Sequence, residues 1–356
     1  MGYPDLSISV IIPVRNAREH LRQCLSAMLG ATPPPAEIIV VADGDTDGSW
    51  QIAEERGAKV LRLSRTGGPA RARNVGAAAA RGDILLFIDA DVIVPRGIFG
   101  AIEKLFRDEP RLAAAFGSYD DEPYEANFLS QYKNLFHHYV HQMGREEAST
   151  FWAGCGAIRR GVFEKVGSFD ENYCQPSIED IELGYRLKKG GHPVRLCKDL
   201  QVKHLKRWGV VSLLKSDLLQ RAIPWTALIL RDHRFVNDLN LTLSSRLSVV
   251  LVYLLSAFVI GAWWWPGSIV AGTAIVLLLL ALNARLYRFF KEKRGLWFAL
   301  KTIPCHWFYY FYSGLGFVLG IVRNLFLRLN PARPGPAGLP KEGFCQDTRP
   351  GYTYDP

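Results

Sequence analysis

The chain has 356 residues, of which 49% are hydrophobic and 22% are charged, and its mean hydropathy is +0.03. This composition excludes an intrinsically disordered protein and a fibrous one. Lysine and arginine outnumber aspartate and glutamate by 43 to 34, and the net charge of +9 favours anionic partners: lipid headgroups, phosphorylated substrates or nucleic acid. The apolar residues are unevenly distributed, which indicates a globular α/β part of about 240 residues followed by a membrane part of about 85 residues.

The cysteines are scattered and show no C-x-x-C spacing, at Cys24, Cys155, Cys174, Cys197, Cys305 and Cys345. This spacing argues against a disulfide scaffold and against a structural zinc site, and it fits a reducing compartment. Residues 1–13 contain no basic stretch followed by a long apolar core, so we expect no signal peptide. The globular part is therefore expected in the cytoplasm.

Strand and helix signals alternate through the first half of the chain. They predict strands at 8–12, 38–41, 58–63 and 84–88 and helices at 17–29, 49–56 and 69–80. This alternation is typical of βαβ units and predicts a mostly parallel, Rossmann-like sheet. Because ligands bind beyond the carboxyl ends of such strands, the candidate site residues are Arg15, Asn16, Asp43, Asp89 and Asp91.

The pattern changes between residues 209 and 230. Apolar residues there share one face of a helix, namely Val211, Leu214, Leu218, Ala222, Trp225 and Leu228. The polar residues Lys215, Asp217, Gln220 and Arg221 fall elsewhere on the helix. Such a helix either lies in a membrane interface or packs on the sheet, and its place just before the apolar tail favours the interface.

Three apolar stretches follow, at about 247–264, 268–284 and 303–322, each close to the ~20 residues that span a bilayer. The uncharged link Trp265-Pro266-Gly267 predicts a tight hairpin that faces outside. The next loop is rich in lysine and arginine, which marks the cytoplasmic side. We expect the third stretch to span as well, with a re-entrant or interfacial segment as the alternative because it contains Pro304 and His306.

The pair Asp89 and Asp91 follows the apolar run at 84–88. Two carboxylates at i and i+2 can share one Mg²⁺ or Mn²⁺ ion, which holds a diphosphate and neutralises it as it leaves. The alternative is a turn that uses aspartate for its own hydrogen bonds. The same two interpretations apply to Asp43, whose carboxylate could accept hydrogen bonds from a nucleotide, whereas Asp45 and Asp47 are expected to serve the turn and the next helix cap.

Two further segments offer chemistry. Gly67 and Gly68 lead into a helix with arginines in its first turns, an arrangement that favours phosphate; a solvated basic helix start is the alternative. The segment Ser177-Ile178-Glu179-Asp180 matches a capping box. Its functional interpretation makes Asp180 a general base supported by Glu179.

Together these motifs resemble the family-2 glycosyltransferases of the GT-A fold, in a membrane-anchored bacterial form. The segments that carry the resemblance occur in the family's order and are 9–16, 41–49, 72–76, 82–91, 154–160, 166–170 and 179–180. The resemblance implies a catalytic base at Asp180 with Glu179 in support. It also implies a donor pocket formed by Pro13, Val14, Arg15, Asn16, Asp43, Arg73, Asn74 and Asp89.

The remaining roles also follow from the resemblance. A divalent metal, Mg²⁺ or Mn²⁺, would be held by Asp91 as direct ligand together with Asp89 and His204, although His204 has a purely structural role as the alternative. The acceptor side would comprise Gly154, Cys155 and Gly156, and Trp225 is added to it from the helix before the apolar tail. The implied reaction is an inverting transfer of a sugar from a nucleotide-sugar, expected to be a UDP-sugar.

The membrane segments favour a lipid or lipid-linked acceptor. A polyprenyl phosphate is already anionic and needs no base, so the Glu-Asp pair favours an acceptor hydroxyl; polyprenyl-phosphate transfer is the alternative. Processive polysaccharide synthases also resemble this chain, but their Q-x-x-R-W motif is replaced by the differently spaced segment 220–225. A catalytically silent nucleotide-sugar-binding membrane protein is a further alternative, but it is less consistent with the presence of Asp89, Asp91 and Asp180. A nucleic-acid binder is less consistent with basic residues that cluster beside apolar segments.

The sequence thus predicts four regions. These are a GT-A α/β domain at 1–208, an interfacial helix and linker at 209–245, transmembrane segments within 246–322 and a Pro/Gly-rich tail at 323–356. We expect a multi-pass protein of the inner (plasma) membrane, with its catalytic domain in the cytoplasm and in contact with membrane lipids, that takes part in glycolipid or cell-envelope polysaccharide synthesis. No nucleic-acid partner is expected.

Overall fold

A computed structural model describes residues 6–232 and 238–329. These residues form two compact units. The first comprises residues 6–134 and 144–207, and the second comprises residues 135–143, 208–232 and 238–329. The predicted tail beyond residue 329 lies outside the described residues.

The first unit is built on a mixed sheet. Its strands are β1 (Ile8–Val14), β2 (Glu37–Asp43), β3 (Lys59–Leu63), β4 (Ile84–Ile88), β5 (Val92–Ile93), β6 (Ala114–Tyr119), β7 (Cys155–Arg159) and β8 (Val194–His204), in the order β3-β2-β1-β4-β7-β6-β8-β5. The pairs β1–β2, β2–β3, β1–β4 and β6–β8 are parallel, whereas β7 is antiparallel to β4 and β6 and β5 is antiparallel to β8. The parallel-rich α/β fold predicted from the sequence is confirmed.

Helices cover both faces of this sheet. They are α1 (Arg18–Leu29), α2 (Ser49–Glu55), α3 (Pro69–Ala79), α4 (Ile98–Asp108), the start of α5 (Phe128–Met143), α6 (Arg160–Lys165) and α7 (Glu179–Lys189). Strand β4 is apolar and buried at every position because both of its faces are covered. On one face α3 packs so closely that a Cβ at Gly76 would lie 2.5 Å from Cγ2 of Ile11, which explains the glycine there.

The cysteines differ in state. Cys24, Cys155, Cys197 and Cys305 are free thiols. Burial raises the pKa of the Cys155 thiol to about 12 and that of Cys197 to about 11, so neither is a reactive thiolate at neutral pH. Cys174 is disulfide-bonded, which the scattered spacing of the cysteines did not lead us to expect.

The second unit is helical. In addition to α5 from Leu135 onward it contains α8 (Val210–Leu214), a π-helical segment (Lys215–Ala222), α9 (Ile223–Asp232), a 3₁₀ turn (Leu239–Leu241), α10 (Leu243–Gly261), α11 (Ser268–Leu282), α12 (Ala284–Arg294) and α13 (Leu296–Leu329). Residues 323–329, which the sequence analysis counted with the tail, continue α13.

Two described helices are long and apolar enough to cross a membrane, Leu243–Gly261 and Leu296–Leu327. The predicted stretch at 303–322 lies within the second of these. Helix α11 has 15 residues, which is about 22 Å and shorter than a bilayer core of about 30 Å. It passes the same test only together with α12, from which it is bent by 61°.

The segment at 209–230 is helical as predicted, and part of its surface packs against α13. A Cβ at Gly316 would lie 2.6 Å from Cβ of Ala222, and a Cβ at Gly320 would lie 2.6 Å from Cβ of Thr226. Asp217, one of the polar residues outside the apolar face of this helix, is buried and accepts a hydrogen bond of 2.8 Å from the Tyr312 hydroxyl.

Candidate active site

The loops that follow β1 and β2 are tied together at the carboxyl edge of the sheet. The backbone N–H of Asn16 donates to Asp45 Oδ1 at 2.8 Å, and Asn16 Oδ1 accepts from the backbone N–H of Thr46 at 2.8 Å. Asp47 accepts hydrogen bonds from the backbone of Arg18 and from Ser49 at the start of α2. Asp45 and Asp47 therefore serve the turn as expected, but the cap residue of α2 is Gly48 and not Asp47. Parallel pairing of the strands brings the two loops together.

Asp43, the last residue of β2, is buried and holds the glycine-rich segment. Its carboxylate accepts from the backbone N–H of Gly67 at 2.7 Å, from that of Gly68 at 2.9 Å and from the Thr66 hydroxyl at 3.0 Å. Gly68 has φ +88°, and a Cβ there would lie 2.3 Å from the Cys174 carbonyl oxygen, so only glycine fits. Asp43 therefore shapes the start of α3.

Arg73 on α3 lies between two carboxylates from distant parts of the chain. Its Nη2 donates to Asp89 Oδ1 at 2.8 Å and its Nη1 donates to Glu179 Oε1 at 2.8 Å. The Arg73 and Glu179 side chains are each 6% exposed, and the Asp89 side chain is 34% exposed. Helix α3, the end of β4 and the start of α7 thus meet at one charged cluster.

In this cluster, burial and neighbouring charges have opposite effects on the pKa values of Asp89 and Arg73. Burial raises the pKa of Asp89 above its ordinary value, and Arg73 opposes that rise without cancelling it. For Arg73 burial lowers the pKa, but Asp89 and Glu179 outweigh it and raise the pKa overall. The guanidinium is therefore firmly cationic and compensates the acidic residues around it.

Asp91 faces His204, which ends β8. Asp91 Oδ2 lies 3.4 Å from His204 Nε2, and the antiparallel pairing of Val92 with His204 holds the two segments together. The other ring nitrogen, Nδ1, lies 2.8 Å from Asn134 Oδ1 on α5.

These residues fit a divalent cation only in part. Among residues 6–232 and 238–329, no group of three or more His, Cys, Asp or Glu side chains is arranged to hold a metal ion. Asp89 is bonded to Arg73, which leaves Asp91 and His204 as adjacent oxygen and nitrogen donors. Mg²⁺ and Mn²⁺ sites that bind nucleotides use one or two protein ligands and complete their shell with phosphate oxygens and water, so this pair fits such an ion.

The cap residue of helix α7 is Ile178 and not Ser177, the residue that the capping-box pattern at 177–180 predicts. Helix α7 begins at Glu179, its cap residue Ile178 has no side-chain cap bond, and the backbone N–H of Ser177 donates to Glu179 Oε2 at 3.0 Å. Asp180 instead accepts a hydrogen bond of 3.1 Å from the backbone N–H of Ala153. Its carboxylate therefore lies beside the segment that leads into β7.

That segment contacts the turn Asp89-Ala90-Asp91, which we call the D-x-D turn. The backbone N–H of Asp89 donates to the Gly154 carbonyl at 3.4 Å, and a Cβ at Gly154 would lie 2.5 Å from the Trp152 ring. The Trp152 ring in turn meets Tyr119 edge-on at 4.8 Å. The backbone of the predicted acceptor loop and the D-x-D turn are thus neighbours.

The structure brings together Asp89, Asp91, Arg73, Glu179, Asp180, His204 and the Gly154 backbone. Other predicted residues have different surroundings. The Cys155 side chain is buried in the hydrophobic core, and the Asn74 amide bonds to Phe169 and Glu171. Trp225 lies in α9 of the second unit, whereas the residues named above belong to the first unit.

Sequence reasoning missed Asn134 and Tyr119. Both contact His204, Asn134 through its amide and Tyr119 through a ring stacked 4.3 Å away. Neither belongs to a motif, and no local signal in the sequence separates them from ordinary core residues.

The chain was compared with known proteins. Residues 9–167 match the model of the family described as glycosyl transferase family 2, the family that the motifs resemble. Glycosyltransferase GlyG of Streptococcus pneumoniae is 29% identical over 126 residues, which are 34% of this chain and 42% of that protein. Pre-mycofactocin glycosyltransferase of Mycobacterium tuberculosis is 30% identical over 205 residues, which are 54% of this chain and 42% of that protein. The chain thus spans less than half the length of either relative.

A solved structure shares the fold. The mannosyltransferase PcManGT from Pyrobaculum calidifontis, in complex with GDP-Man and Mn²⁺, superposes with a TM-score of 0.56 at 17% identity, over 88% of this chain and 87% of that chain. At this identity the likeness concerns the fold alone, and it agrees with the GT-A architecture of the sheet.

Proposed function

We propose, from the match of residues 9–167 to the glycosyl transferase family 2 model, that this chain transfers a sugar from a nucleotide-sugar to a hydroxyl group of a lipid or lipid-linked acceptor, with inversion at the anomeric carbon. A UDP-sugar is the proposed donor. The donor pocket is the edge of the sheet where the loops after β1, β2 and β4 meet.

One observation carries this proposal. The Arg73 guanidinium joins Asp89 of the D-x-D turn to Glu179 of the Glu-Asp pair, with 2.8 Å on each side. Asp89 of the candidate diphosphate-binding turn and Glu179 of the Glu-Asp pair are therefore built into one cluster. Two isolated turns would have no reason to share a buried arginine, whereas a transfer reaction needs both groups at one reacting centre.

The first two residues of α7, Glu179 and Asp180, have different tasks. Glu179 is paired with Arg73 and accepts a backbone hydrogen bond, so it holds the cluster together. Asp180 lies beside the Ala153–Gly154 backbone, where an acceptor would approach. We assign Asp180 as the base that takes the proton from the acceptor hydroxyl.

Asp91 and His204 would hold the Mg²⁺ or Mn²⁺ ion, together with oxygens of the donor. When bound, such an ion supplies Lewis-acid stabilisation of the negative charge on the departing diphosphate. The Mn²⁺ present in the mannosyltransferase structure of the same fold is consistent with this assignment. Arg73 keeps the neighbouring carboxylates compensated, and the backbone at Gly67 and Gly68 borders the pocket.

A membrane-embedded acceptor is supported by the helical unit. Helices α10 and α13 are long and apolar enough to span a bilayer. The turn between α10 and α11 exposes Trp263, Trp264 and Trp265, and tryptophan favours the membrane interface. The exposed surface of α12 is rich in lysine and arginine, which favours the cytoplasmic face, so we propose a multi-pass inner-membrane protein whose reaction occurs on that face.

The test is transfer by the full chain purified in detergent. UDP-, GDP- and dTDP-sugars are supplied in turn with Mn²⁺ or Mg²⁺, and a crude lipid extract serves as acceptor. We expect metal-dependent release of one nucleoside diphosphate together with a labelled lipid. Asp180→Asn should abolish the transfer, whereas Asp108→Asn, a surface carboxylate on α4, should behave like the unmodified protein.

Two results would change the proposal. If Asp180→Asn still releases the nucleoside diphosphate with a polyprenyl phosphate as acceptor, the acceptor group is an anionic phosphate and not a hydroxyl. No release from any donor by the folded protein would indicate a nucleotide-sugar-binding protein without transferase activity.

A further inference from the structure

We propose that Asn134 is a positioning residue that sets the tautomer and orientation of His204, so that the Nε2 lone pair of His204 faces Asp91. This inference rests on the metal-binding role given to His204 in the proposed function. It adds a residue that belongs to none of the sequence motifs.

Three elements hold the imidazole. Asn134 Oδ1 on α5 lies 2.8 Å from His204 Nδ1. The Tyr119 ring at the end of β6 stacks on the imidazole at 4.3 Å with an interplanar angle of 10°. Asp91 Oδ2 lies 3.4 Å from Nε2 on the opposite edge of the ring. Asn134 is 1% exposed and His204 is 5% exposed, so water does not compete for these contacts.

The amide oxygen decides which ring nitrogen carries the proton. A neutral imidazole has one N–H donor and one lone pair. Because Oδ1 can only accept, Nδ1 must be the protonated nitrogen, and the lone pair is left on Nε2. A metal ligand needs that lone pair, and histidine ligands are commonly held by a hydrogen bond at the other nitrogen.

Tyr119 and Asp91 cannot make this choice. A stacked ring restricts the plane of the imidazole and is indifferent to its tautomer. The Asp91 carboxylate accepts hydrogen bonds, and by itself it would favour a proton on Nε2 that points at it, which would block ligation. Asn134 opposes that tautomer from the other edge of the ring.

Asn134 is also a costly residue for a purely structural position. Its Nδ2 is buried and has no hydrogen-bond partner among residues 6–232 and 238–329. Leucine has a similar shape and would fill this place in the core without leaving an unpaired donor. A function for the oxygen of the amide accounts for the choice of an asparagine.

The first experiment reads the tautomer directly. The full chain is labelled with ¹⁵N-histidine and kept free of metal, and the His204 signals are identified by their absence in His204→Gln. We expect the Nδ1-protonated tautomer in the unmodified protein and in Asn134→Asp, which keeps an accepting oxygen. In Asn134→Leu the population should shift towards protonated Nε2. Asn134→Ala removes the same acceptor with a smaller side chain and replaces Asn134→Leu if that variant does not fold.

The second experiment measures the affinity for Mn²⁺ by electron paramagnetic resonance, with Mn²⁺ alone and with Mn²⁺ plus UDP. Loss of the acceptor in Asn134→Leu should weaken binding by about tenfold or more, and Asn134→Asp should restore most of it. An unchanged tautomer in Asn134→Leu, or a changed tautomer with unchanged Mn²⁺ affinity, would overturn the inference. If the unmodified protein binds no Mn²⁺, the metal site of the proposed function fails, while the metal-free spectrum still decides whether Asn134 orients His204.

Discussion

Nη1 of Arg73 lies 2.8 Å from Oε1 of Glu179, across 106 residues of sequence, and both side chains are buried. Taking two charges out of water is costly, and the pair persists because Asp89 and the backbone of Ser177 satisfy further bonding groups of the same two side chains. The contact joins α3 to α7. It links the folding of the domain to the geometry of the candidate site.

Replacing Arg73 by glutamine should destabilise the domain strongly. The change leaves Glu179 as a buried carboxylate without a cation, and we expect the free energy of unfolding to fall by about 3 kcal/mol. Urea unfolding of the full chain in detergent, followed by tryptophan fluorescence, measures this. Arg22→Gln, which removes the exposed pair with Glu19, should change the same quantity by about 0.5 kcal/mol or less. Equal effects of the two variants would contradict the buried pair.

Replacing Glu179 and replacing Asp180, the first two residues of α7, should have different effects. Asp180→Asn should lower kcat by about 10²- to 10⁴-fold with little change in thermal unfolding, because it removes a base. Glu179→Gln should lower the unfolding free energy by about 1–3 kcal/mol, because Arg73 loses a charged partner. Both are measured on the same detergent-purified protein. A large stability loss in Asp180→Asn with none in Glu179→Gln would reverse the two assignments.

Gly184 lies on α7 where the helix crosses the backbone of the preceding segment. A Cβ there would lie 2.3 Å from the backbone nitrogen of Phe151 and 2.4 Å from the carbonyl carbon of Thr150. Gly184→Ala should therefore push α7 away and lower the unfolding free energy by about 2–3 kcal/mol, together with activity. Gly161→Ala on α6 meets no atom within 4 Å and should be neutral or slightly stabilising. A neutral Gly184→Ala would show that the close crossing does not exist in solution.

Ionised Glu37 should stabilise the folded protein at neutral pH, and this contribution should be lost in acid. Burial raises the pKa of Glu37, but hydrogen bonds from the Ser9 hydroxyl and the Arg81 backbone, each 2.6 Å, outweigh it and hold that pKa below its ordinary value. A carboxyl whose folded-state pKa is depressed stabilises the fold above its unfolded-state pKa and loses that contribution as the pH falls through the folded-state pKa. The loss is expected below about pH 4.3.

Thermal unfolding between pH 7 and pH 3 measures this contribution. Glu37→Gln should unfold at a lower temperature than the unmodified protein at pH 7, and the difference should shrink as the pH falls. Glu54→Gln, an exposed residue of α2, serves as the matched control and should follow the unmodified protein. A constant difference between Glu37→Gln and the unmodified protein at every pH would contradict an ionised Glu37 in the hydrogen-bonded network.

Much of the fold could be predicted where the evidence was local. The predicted strand at 84–88 is β4 and the predicted helix at 69–80 is α3 to within a residue. A fully buried strand is a continuous apolar run in the sequence. Proline favours the first position of a helix, and α3 begins at Pro69. The local capping-box pattern did not predict the start of α7, whose cap residue is Ile178 and whose first residue, Glu179, pairs with Arg73 from a distant helix.

The sequence by itself determined the residue types of the site and their places after the strands, because parallel strands put their carboxyl ends at one edge. Only the tertiary structure decided how those residues divide the work. Arg73 forms ion pairs with Asp89 and Glu179. Asp91 lies beside His204, and Asp180 accepts a hydrogen bond from the Ala153 backbone. The same holds for Asn134, an inconspicuous helical residue until β8 brings His204 to within 2.8 Å of it. Pairings of this kind depend on packing between elements far apart in the chain, and no local pattern of residues encodes them.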